Sequence, residues 1–421
     1  MLAEMEARER WGMKEMRRYQ EARLREILQI CAANVPFYAD LFRRERLDPD
    51  RLEPWDLLAR VPPLEKSEVR QDPERFRNQS TSRLLLRKAQ TSGTTGTPLI
   101  CWRNFDAINF ENAMIWRQRR WAGFNFGDRR VTLRGELPVP ASQTRPPFWR
   151  YDAHERQLVM SSYHLSAHTA PDYASALAAF RPAAVEGYPS SVALLARLLR
   201  EANVAAFPVK AVFTSSETLL DYQREITQQV FCAPIFDLYG NAERTAAICS
   251  CEHQRYHVLP DYAIVEFLES GEIVGTPLFN RAFPLLRYRS GDFAVPEAAG
   301  EICPCGRDGF PLVKEIQGRL DAYVVTRDDR LVGRLDHIYK GVQHISESQI
   351  VQESKTRIVL KVVRDVEYTR EDETRLLRHA QQRLGPGMEI AVSYVESIPR
   401  TPKGKFLAVV GLTDEGPELG A

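Results

Sequence analysis

Between residues 130 and 238 four short apolar runs, 130–133, 183–186, 210–214 and 234–238, are each followed by turn or helix-start residues. Residues 171–202 carry two helical patterns, split by Glu186-Gly187-Tyr188-Pro189-Ser190. Strands that alternate with helices must be joined by crossovers, so this stretch predicts parallel α/β layers. Upstream, apolar residues recur every three to four positions over 106–121 and predict a helix. Val35-Pro36-Phe37-Tyr38 and Val61-Pro62-Pro63-Leu64 read as extended connectors between short helices. Beyond Pro260 the texture changes to the β-type segments 263–268, 272–276 and 285–288, which predict an antiparallel or barrel-like sheet. From Arg319 onward, strands at 357–363 and 389–395 flank a helix at 370–384, a small α+β unit. The fold class is therefore mixed α/β, with residues 1–318 as a large domain of layered α/β plus a β subdomain and 319–421 as a small C-terminal domain.

With 57 Lys plus Arg against 56 Asp plus Glu, the net charge of +1 excludes a dedicated nucleic-acid binder or an acidic-tail protein. Arginine supplies 47 of those cations and lysine ten, but the arginines are spread among acids and form no basic face. The expectation is no nucleic-acid partner. Residues 1–28 mix apolar side chains with Glu, Arg and Lys at helical spacing, unlike a signal peptide. No stretch approaches the roughly 20 apolar residues of a membrane span, so a cytoplasmic protein without one is expected. Seven cysteines, an odd number, suit a reducing compartment. Cys31, Cys101 and Cys232 sit alone among apolar neighbours and read as small buried hydrophobes. Cys249, Cys251, Cys303 and Cys305 form two close pairs with His253 and His257 between them, a set of thiolates and imidazoles suited to tetrahedral zinc. Free thiols are the plain alternative.

The sharpest local signal is Thr91-Ser92-Gly93-Thr94-Thr95-Gly96-Thr97-Pro98. Hydroxyls and glycines in one loop offer donors and close backbone approach to phosphate oxygens. The Gly-Lys-Ser/Thr of a Walker loop is missing. Strand-like runs at 84–86 and 99–102 place the loop at the tip of a hairpin.

This octapeptide resembles the phosphate loop of the acyl-adenylate-forming superfamily of acyl-CoA synthetases and adenylation domains. Further signatures follow in that superfamily's order: Tyr239-Gly240-Asn241-Ala242-Glu243, Tyr288-Arg289-Ser290-Gly291-Asp292, Gly318-Arg319-Leu320-Asp321 and Pro402-Lys403-Gly404-Lys405. The Cys303-Pro304-Cys305-Gly306-Arg307 segment, Val35 to Tyr38, the short length and the Arg400 to Lys405 ending resemble the phenylacetate-CoA ligase branch and its capsular-polysaccharide-type members.

The resemblance implies an AMP-forming carboxylate ligase. A carboxylate attacks the α-phosphate of ATP, pyrophosphate leaves, and the acyl group passes to a thiol, with coenzyme A as co-substrate. It implies Lys405 as the cation on the α-phosphate, with Lys403 as the nearby competitor, and Glu243 as a magnesium ligand. Thr91, Ser92, Gly93, Thr94, Thr95 and Gly96 would hold phosphates. Ser216 and Glu217, Tyr239, Gly240 and Asn241, Asp292 and Arg319 would complete the nucleotide site, with residues 318–321 as a hinge. Gly135, Tyr188, Pro189, Phe213 and Tyr239 are the implied acyl-pocket candidates, and Cys251, His257, Cys303 and Cys305 the implied ligands of a structural zinc. The partner is a small-molecule carboxylate, and a homodimer is the candidate assembly.

Two positions depart from the pattern: Ser216 stands where a small glycine is usual, and Ala242 where threonine is frequent. Transfer to an amine or a sugar, adenylylation of a cofactor carboxylate, and a non-catalytic nucleotide-binding scaffold are the alternative readings.

Overall fold

A computed structural model of the chain describes all residues except 91–98, 136, 205, 299, 320–323, 328–330, 333–334, 340–341, 343, 401–405 and 413–421. The described residues form two compact units. One comprises Met1–Phe126, Lys210–Ser216 and Pro234–Ile316, and the other Gly127–Val209, Glu217–Ala233 and Gln317–Ala421.

The first unit opens with helices Leu2–Arg8, Met13–Asn34, Pro36–Glu45, Pro54–Arg60 and Lys66–Gln71. Pro36 and Pro54 open their helices, where a missing N–H costs nothing and φ is already set. Only Val35 of the expected connector is extended. An antiparallel hairpin follows, Arg87–Gln90 on Ile100–Arg103, and then the helix Phe105–Trp121, capped by the Asn104 side chain. The sheet of this unit runs, in spatial order, Ala263–Phe267, Glu272–Pro277, Tyr288–Pro296, Leu312–Arg319, Tyr256–Val258, Ala247–Ser250, Ile235–Gly240 and Ala211–Ser215. Its last pair, Ile235–Gly240 with Ala211–Ser215, is parallel; Ala263–Phe267 with Glu272–Pro277, Glu272–Pro277 with Tyr288–Pro296, Leu312–Arg319 with Tyr256–Val258, Tyr256–Val258 with Ala247–Ser250 and Ala247–Ser250 with Ile235–Gly240 are antiparallel, as the change of texture near Pro260 predicts.

At the centre of this unit lies Arg117, fully buried. Its guanidinium grips Asp261 bidentately, Nη1 to Oδ2 at 2.7 Å and Nη2 to Oδ1 at 3.0 Å, and Arg8 Nε reaches the same carboxylate at 3.1 Å. This ties the first helix to Phe105–Trp121 and to the loop before Ala263–Phe267.

In the second unit, strands Ala184–Gly187, Arg130–Leu133, Gln157–Met160 and Trp149–Asp152 are neighbours in that order, the first three parallel and the last antiparallel. Every residue of Arg130–Leu133 and Ala184–Gly187 is buried, as parallel strands covered on both faces require. A Cβ at Gly187 would stand 2.3 Å from the Leu133 carbonyl oxygen, so only glycine permits this strand spacing. Helices Ala170–Phe180, Pro189–Glu201 and Asp221–Phe231 belong to the same unit. Its C-terminal part is a sheet ordered Glu389–Tyr394, Arg357–Arg364, Ile345–Ser354, Val409–Val410, with the helix Arg370–Leu384. That helix starts in a Thr369–Asp372 capping box and stops at Gly385, whose φ is +91°. Among the described residues no helix is long and apolar enough to cross a membrane.

Local expectations fail where an apolar run was given too much weight. The leucines at 84–86 are not a strand: Arg83–Leu85 is a 3₁₀ turn with Leu84 92% exposed, and the strand begins at Arg87. Leu285 and Leu286 are buried in the core ahead of a strand that starts at Tyr288. The segment 138–171 contains the hairpin Trp149–Asp152 and Gln157–Met160. Cys232 is exposed, because it terminates a helix with φ of +48°.

The buried charge cluster yields a stability prediction. Asp261→Ala leaves two arginines without their shared counter-ion and should lower unfolding free energy by about 3–5 kcal/mol in urea titration followed by tryptophan fluorescence. A loss under about 1 kcal/mol would show the cluster to be incidental.

Candidate functional site

The strand Ile235–Gly240 delivers its last residues into a tight turn over 241–245. Asn241 brackets that turn: its Oδ1 accepts from Thr245 N at 2.8 Å and its Nδ2 donates to Thr245 Oγ1 at 2.7 Å. Arg103, at the end of the hairpin that carries 91–98, donates to the Ala242 carbonyl. Gly275 backs the turn closely, since a Cβ there would lie 2.1 Å from the Thr245 carbonyl oxygen. The turn is thereby fixed with Glu243 at its tip, 3% exposed. Glu243 Oε1 accepts from Tyr288 Oη at 2.8 Å and faces Lys66 Nζ at 3.3 Å. Its Oε2 has no hydrogen bond from a described residue, which leaves one hard oxygen of the kind magnesium prefers.

A second tyrosine–carboxylate pair lies beside the first in sequence order. Tyr239 Oη donates to Asp292 Oδ2 at 2.8 Å, and Asp292 is 6% exposed. Burial and the neighbouring carboxylate hold the Tyr239 phenol well above its ordinary range, so it stays a donor. Ser290 Oγ accepts from Asp292 N at 3.0 Å and donates to the Ile273 carbonyl at 2.8 Å, fixing the carboxylate across the bend at Gly291, whose φ is +72°. Tyr239, Gly240, Asn241, Glu243 and Asp292 thus converge in the first unit. Lys66 is the participant that sequence reading missed; its signal was slight, a lysine at a helix start in a chain that holds only ten.

Ser216 follows the strand Ala211–Ser215 with φ of +72°, the left-handed region that explains why glycine is usual there. Glu217 is half-buried and directs both carboxylate oxygens at backbone amides, Ser190 N at 3.1 Å and Phe406 N at 2.9 Å. Burial raises its pKa, and these hydrogen bonds oppose the rise. Gly318 has φ of +77° and a Cβ there would meet Thr218 Oγ1 at 2.6 Å. Arg319 ends the strand Leu312–Arg319; its side chain, the loop 91–98 with Thr91, Ser92, Gly93, Thr94, Thr95 and Gly96, Lys403 and Lys405 lie outside the described residues.

Of the acyl-pocket candidates, Gly135 lies two residues past the end of Arg130–Leu133, and Tyr188 and Pro189 form the entry to the helix Pro189–Glu201, with Tyr188 N bonded to the Leu133 carbonyl at 3.2 Å. Phe213 is 6% exposed and packs against Phe124 and Phe236, which makes it a core residue. Tyr239 is committed to Asp292.

Cys251, His257, Cys303 and Cys305 cluster with their ligand atoms all within 4.8 Å of one another. Cys251 Sγ and Cys303 Sγ are 3.6 Å apart, and Cys305 Sγ lies 3.4 Å from His257 Nε2. Two sulfurs held tetrahedrally by one zinc at about 2.3 Å stand about 3.8 Å apart, so the donors fit that ion. His257 Nδ1 is 3.1 Å from the Phe310 carbonyl, an orientation that presents Nε2 to the cluster. Burial lowers the His257 pKa to about 4, which keeps the ring neutral, as a ligand must be. Cys249 is buried outside this set.

Comparison with known proteins agrees with this organisation. A family model described as the CapK C-terminal domain matches residues 324–411. Protein CapK of Staphylococcus aureus is 24% identical over 395 residues, covering 92% of this chain and 87% of that protein. A phenylacetate-coenzyme A ligase of Thermus thermophilus is 22% identical over 346 residues, covering 75% of this chain and 72% of that protein. Among solved structures, 2-hydroxyisobutyryl-CoA ligase in its postadenylation state with 2-HIB-AMP superposes with a TM-score of 0.73 at 19% identity, covering 96% of this chain and 91% of that one. The chain is homologous to CapK and phenylacetate-CoA ligase and has the fold of the acyl-CoA ligases of the adenylate-forming superfamily.

The strained serine is open to a direct check. Ser216→Gly should raise stability by about 1 kcal/mol in thermal or urea unfolding, because glycine takes this φ without the penalty of a Cβ. No gain, or a loss, would mean that the serine hydroxyl repays the strain.

Proposed function

We propose that this chain activates a carboxylic acid with ATP and transfers the acyl group to a thiol, that of coenzyme A. The observation that supports it most is the pair of buried tyrosine–carboxylate contacts, Tyr239 with Asp292 and Tyr288 with Glu243, assembled from two of the ordered motifs. A carboxylate with two acceptor oxygens suits a diol, the role we assign to Asp292 toward the ribose. Glu243, with Oε2 open, would hold Mg²⁺, which when bound would neutralise phosphate charge.

In the first half-reaction the substrate carboxylate oxygen forms a bond to the α-phosphorus while the bond to pyrophosphate breaks. Negative charge spreads over the phosphate oxygens, and Lys405 with the donors of 91–96 would stabilise it. In the second, a thiolate adds to the acyl carbonyl and AMP departs with its oxygen. We assign residues 1–318 and 319–421 to two domains that alternate between these steps about the hinge at 318–321, where the left-handed Gly318 makes the join. Ala242, lacking a hydroxyl beside the adenylate, favours keeping a second acceptor in view: an amine or a sugar in place of the thiol. Zinc on Cys251, His257, Cys303 and Cys305 would staple the end of Ala247–Ser250 to the loop before Leu312–Arg319, a structural role.

Carboxylate-dependent exchange of pyrophosphate into ATP tests the first step over a panel of acids. Lys405→Ala and Glu243→Ala should each reduce exchange by about 10²–10³-fold with protein fold retained. Exchange that survives both substitutions would refute the assignments, and exchange without thioester formation would move the acceptor to the amine or sugar reading. For the metal, mass spectrometry should find one zinc per chain, lost in Cys303→Ser together with a fall in melting temperature. A metal-free wild-type chain of equal stability would refute the zinc site.

A further inference from the structure

Lysine is scarce in this chain, and one of its ten stands inside the first unit's site. Lys66 opens the helix Lys66–Gln71, and its ammonium lies 3.3 Å from Glu243 Oε1. The same oxygen accepts from Tyr288 Oη, so both protein donors face Oε1. The backbone just before Lys66 is bonded into the sheet on both sides of Tyr288. Leu64 N donates to the Arg287 carbonyl at 2.9 Å, Arg289 N donates to the Leu64 carbonyl at 3.0 Å, and Leu64 forms a parallel bridge with Tyr288. Glu65 adds an ion pair with Arg289. The strand Ile100–Arg103, which starts two residues past 91–98, passes the same spot. Burial pushes the Cys101 thiol of that strand up to about 12; the Glu243 charge adds to the rise, and the charges of Arg103 and Lys66 oppose it.

Charge decides what this lysine can do. A carboxylate that is 3% exposed needs a counter-charge, and Lys66 supplies one before any ligand arrives. With Mg²⁺ held by Glu243, a divalent ion and an ammonium would share a single carboxylate. Like charges so placed in a partly buried site repel, and a further anion is needed to hold them together. The phosphate tail of ATP is such an anion. Lys66 is equipped to meet it, because its ammonium has three donors, makes no hydrogen bond to a described residue and keeps 26% of the side chain exposed. Position agrees with charge. Tyr288 pairs with Gly275 and Phe293 with Glu272, so Tyr288 and the neighbourhood of Asp292 are separated by about 10 Å along the sheet. A nucleotide with its ribose on Asp292 therefore meets Lys66 at the far end of its phosphates.

We propose that Lys66 binds the β- and γ-phosphates of ATP and the pyrophosphate formed from them, leaving the α-phosphate to Lys405. This rests on the adenylation reading above and adds a substrate-binding residue to it. As the carboxylate bonds to the α-phosphorus, the bond from that phosphorus to the bridging oxygen breaks and its electron pair stays on the oxygen. The Lys66 ammonium keeps its proton and stabilises the charge that the leaving pyrophosphate gains.

Calorimetry of the full chain with ATP, pyrophosphate and AMP, each with excess Mg²⁺, tests this. Lys66→Met should weaken ATP and pyrophosphate binding on the order of tenfold to a hundredfold, the worth of one charge-assisted hydrogen bond, and leave AMP affinity within about twofold. Lys66→Arg, which keeps the charge, should restore most of the loss. In a Glu243→Gln background Lys66→Met should still weaken ATP binding, and that double variant leaves no buried carboxylate without its cation, so it keeps the test open where the single variant fails to fold. No effect in that background would mean that the lysine acts only through the carboxylate, and would overturn the proposal. Equal losses for ATP and AMP, or a loss for neither, would overturn it too. If the wild-type chain binds ATP and only the Lys66 effect is missing, the adenylation reading stands without this residue. If the wild-type chain binds neither ATP nor AMP, that reading itself falls.

Discussion

The turn that carries Glu243 is the constraint on which the first unit's chemistry depends. A carboxylate with 3% of its surface exposed cannot be left to solvent; it must be held by donors, and those donors must come from elements that cannot drift. Tyr288 supplies one from the strand Tyr288–Pro296 and Lys66 another from the start of a helix. The turn itself is pinned by Asn241 from within, by Arg103 from the hairpin, and by Gly275 from behind. A larger residue at 275 would push the turn, move Glu243 away from its donors and strand a buried charge. Side chains far apart in sequence are therefore coupled through one short loop.

How much of this was legible beforehand follows from what kind of interaction each feature rests on. The strands at 130–133 and 235–240 and the helix Arg370–Leu384 emerge from local period and caps, so their positions were readable to within a residue or two. Glu243 and Asp292 stood out because their motifs compress turn glycines and acids into five residues. Lys66 did not, because its role depends on a contact across 177 residues of chain, and nothing in Glu65-Lys66-Ser67 signals it. Cys232 misled for the converse reason. Its apolar neighbours argue for burial, but a helix has to end there, and the left-handed cap turns the residue outward.

The two units handle polar burial in different ways. In the first unit the Asp261 carboxylate is closed, with three charge-assisted hydrogen bonds, two from Arg117 and one from Arg8, and such closure makes a rigid support. At the strand ends of the second unit, closure is partial: His164 Nε2 and Ser190 Oγ are buried and open.

Ser216 belongs to the same pattern from the side of the backbone. Glycine would adopt φ of +72° without strain, and a serine there stores about 1–2 kcal/mol that the surrounding turn must hold. Its neighbour Glu217 supplies part of that restraint, since its half-buried carboxylate is tied to the amides of Ser190 and Phe406 and cannot swing to relax the turn. One of those amides belongs to the residue directly after Lys405. Residue 406 is therefore held by a hydrogen bond to a carboxylate whose burial raises its pKa. Protonating Glu217 would replace a charge-assisted bond with a neutral one and loosen the anchor, so the hold on residue 406 strengthens as the pH rises through that carboxyl's folded pKa.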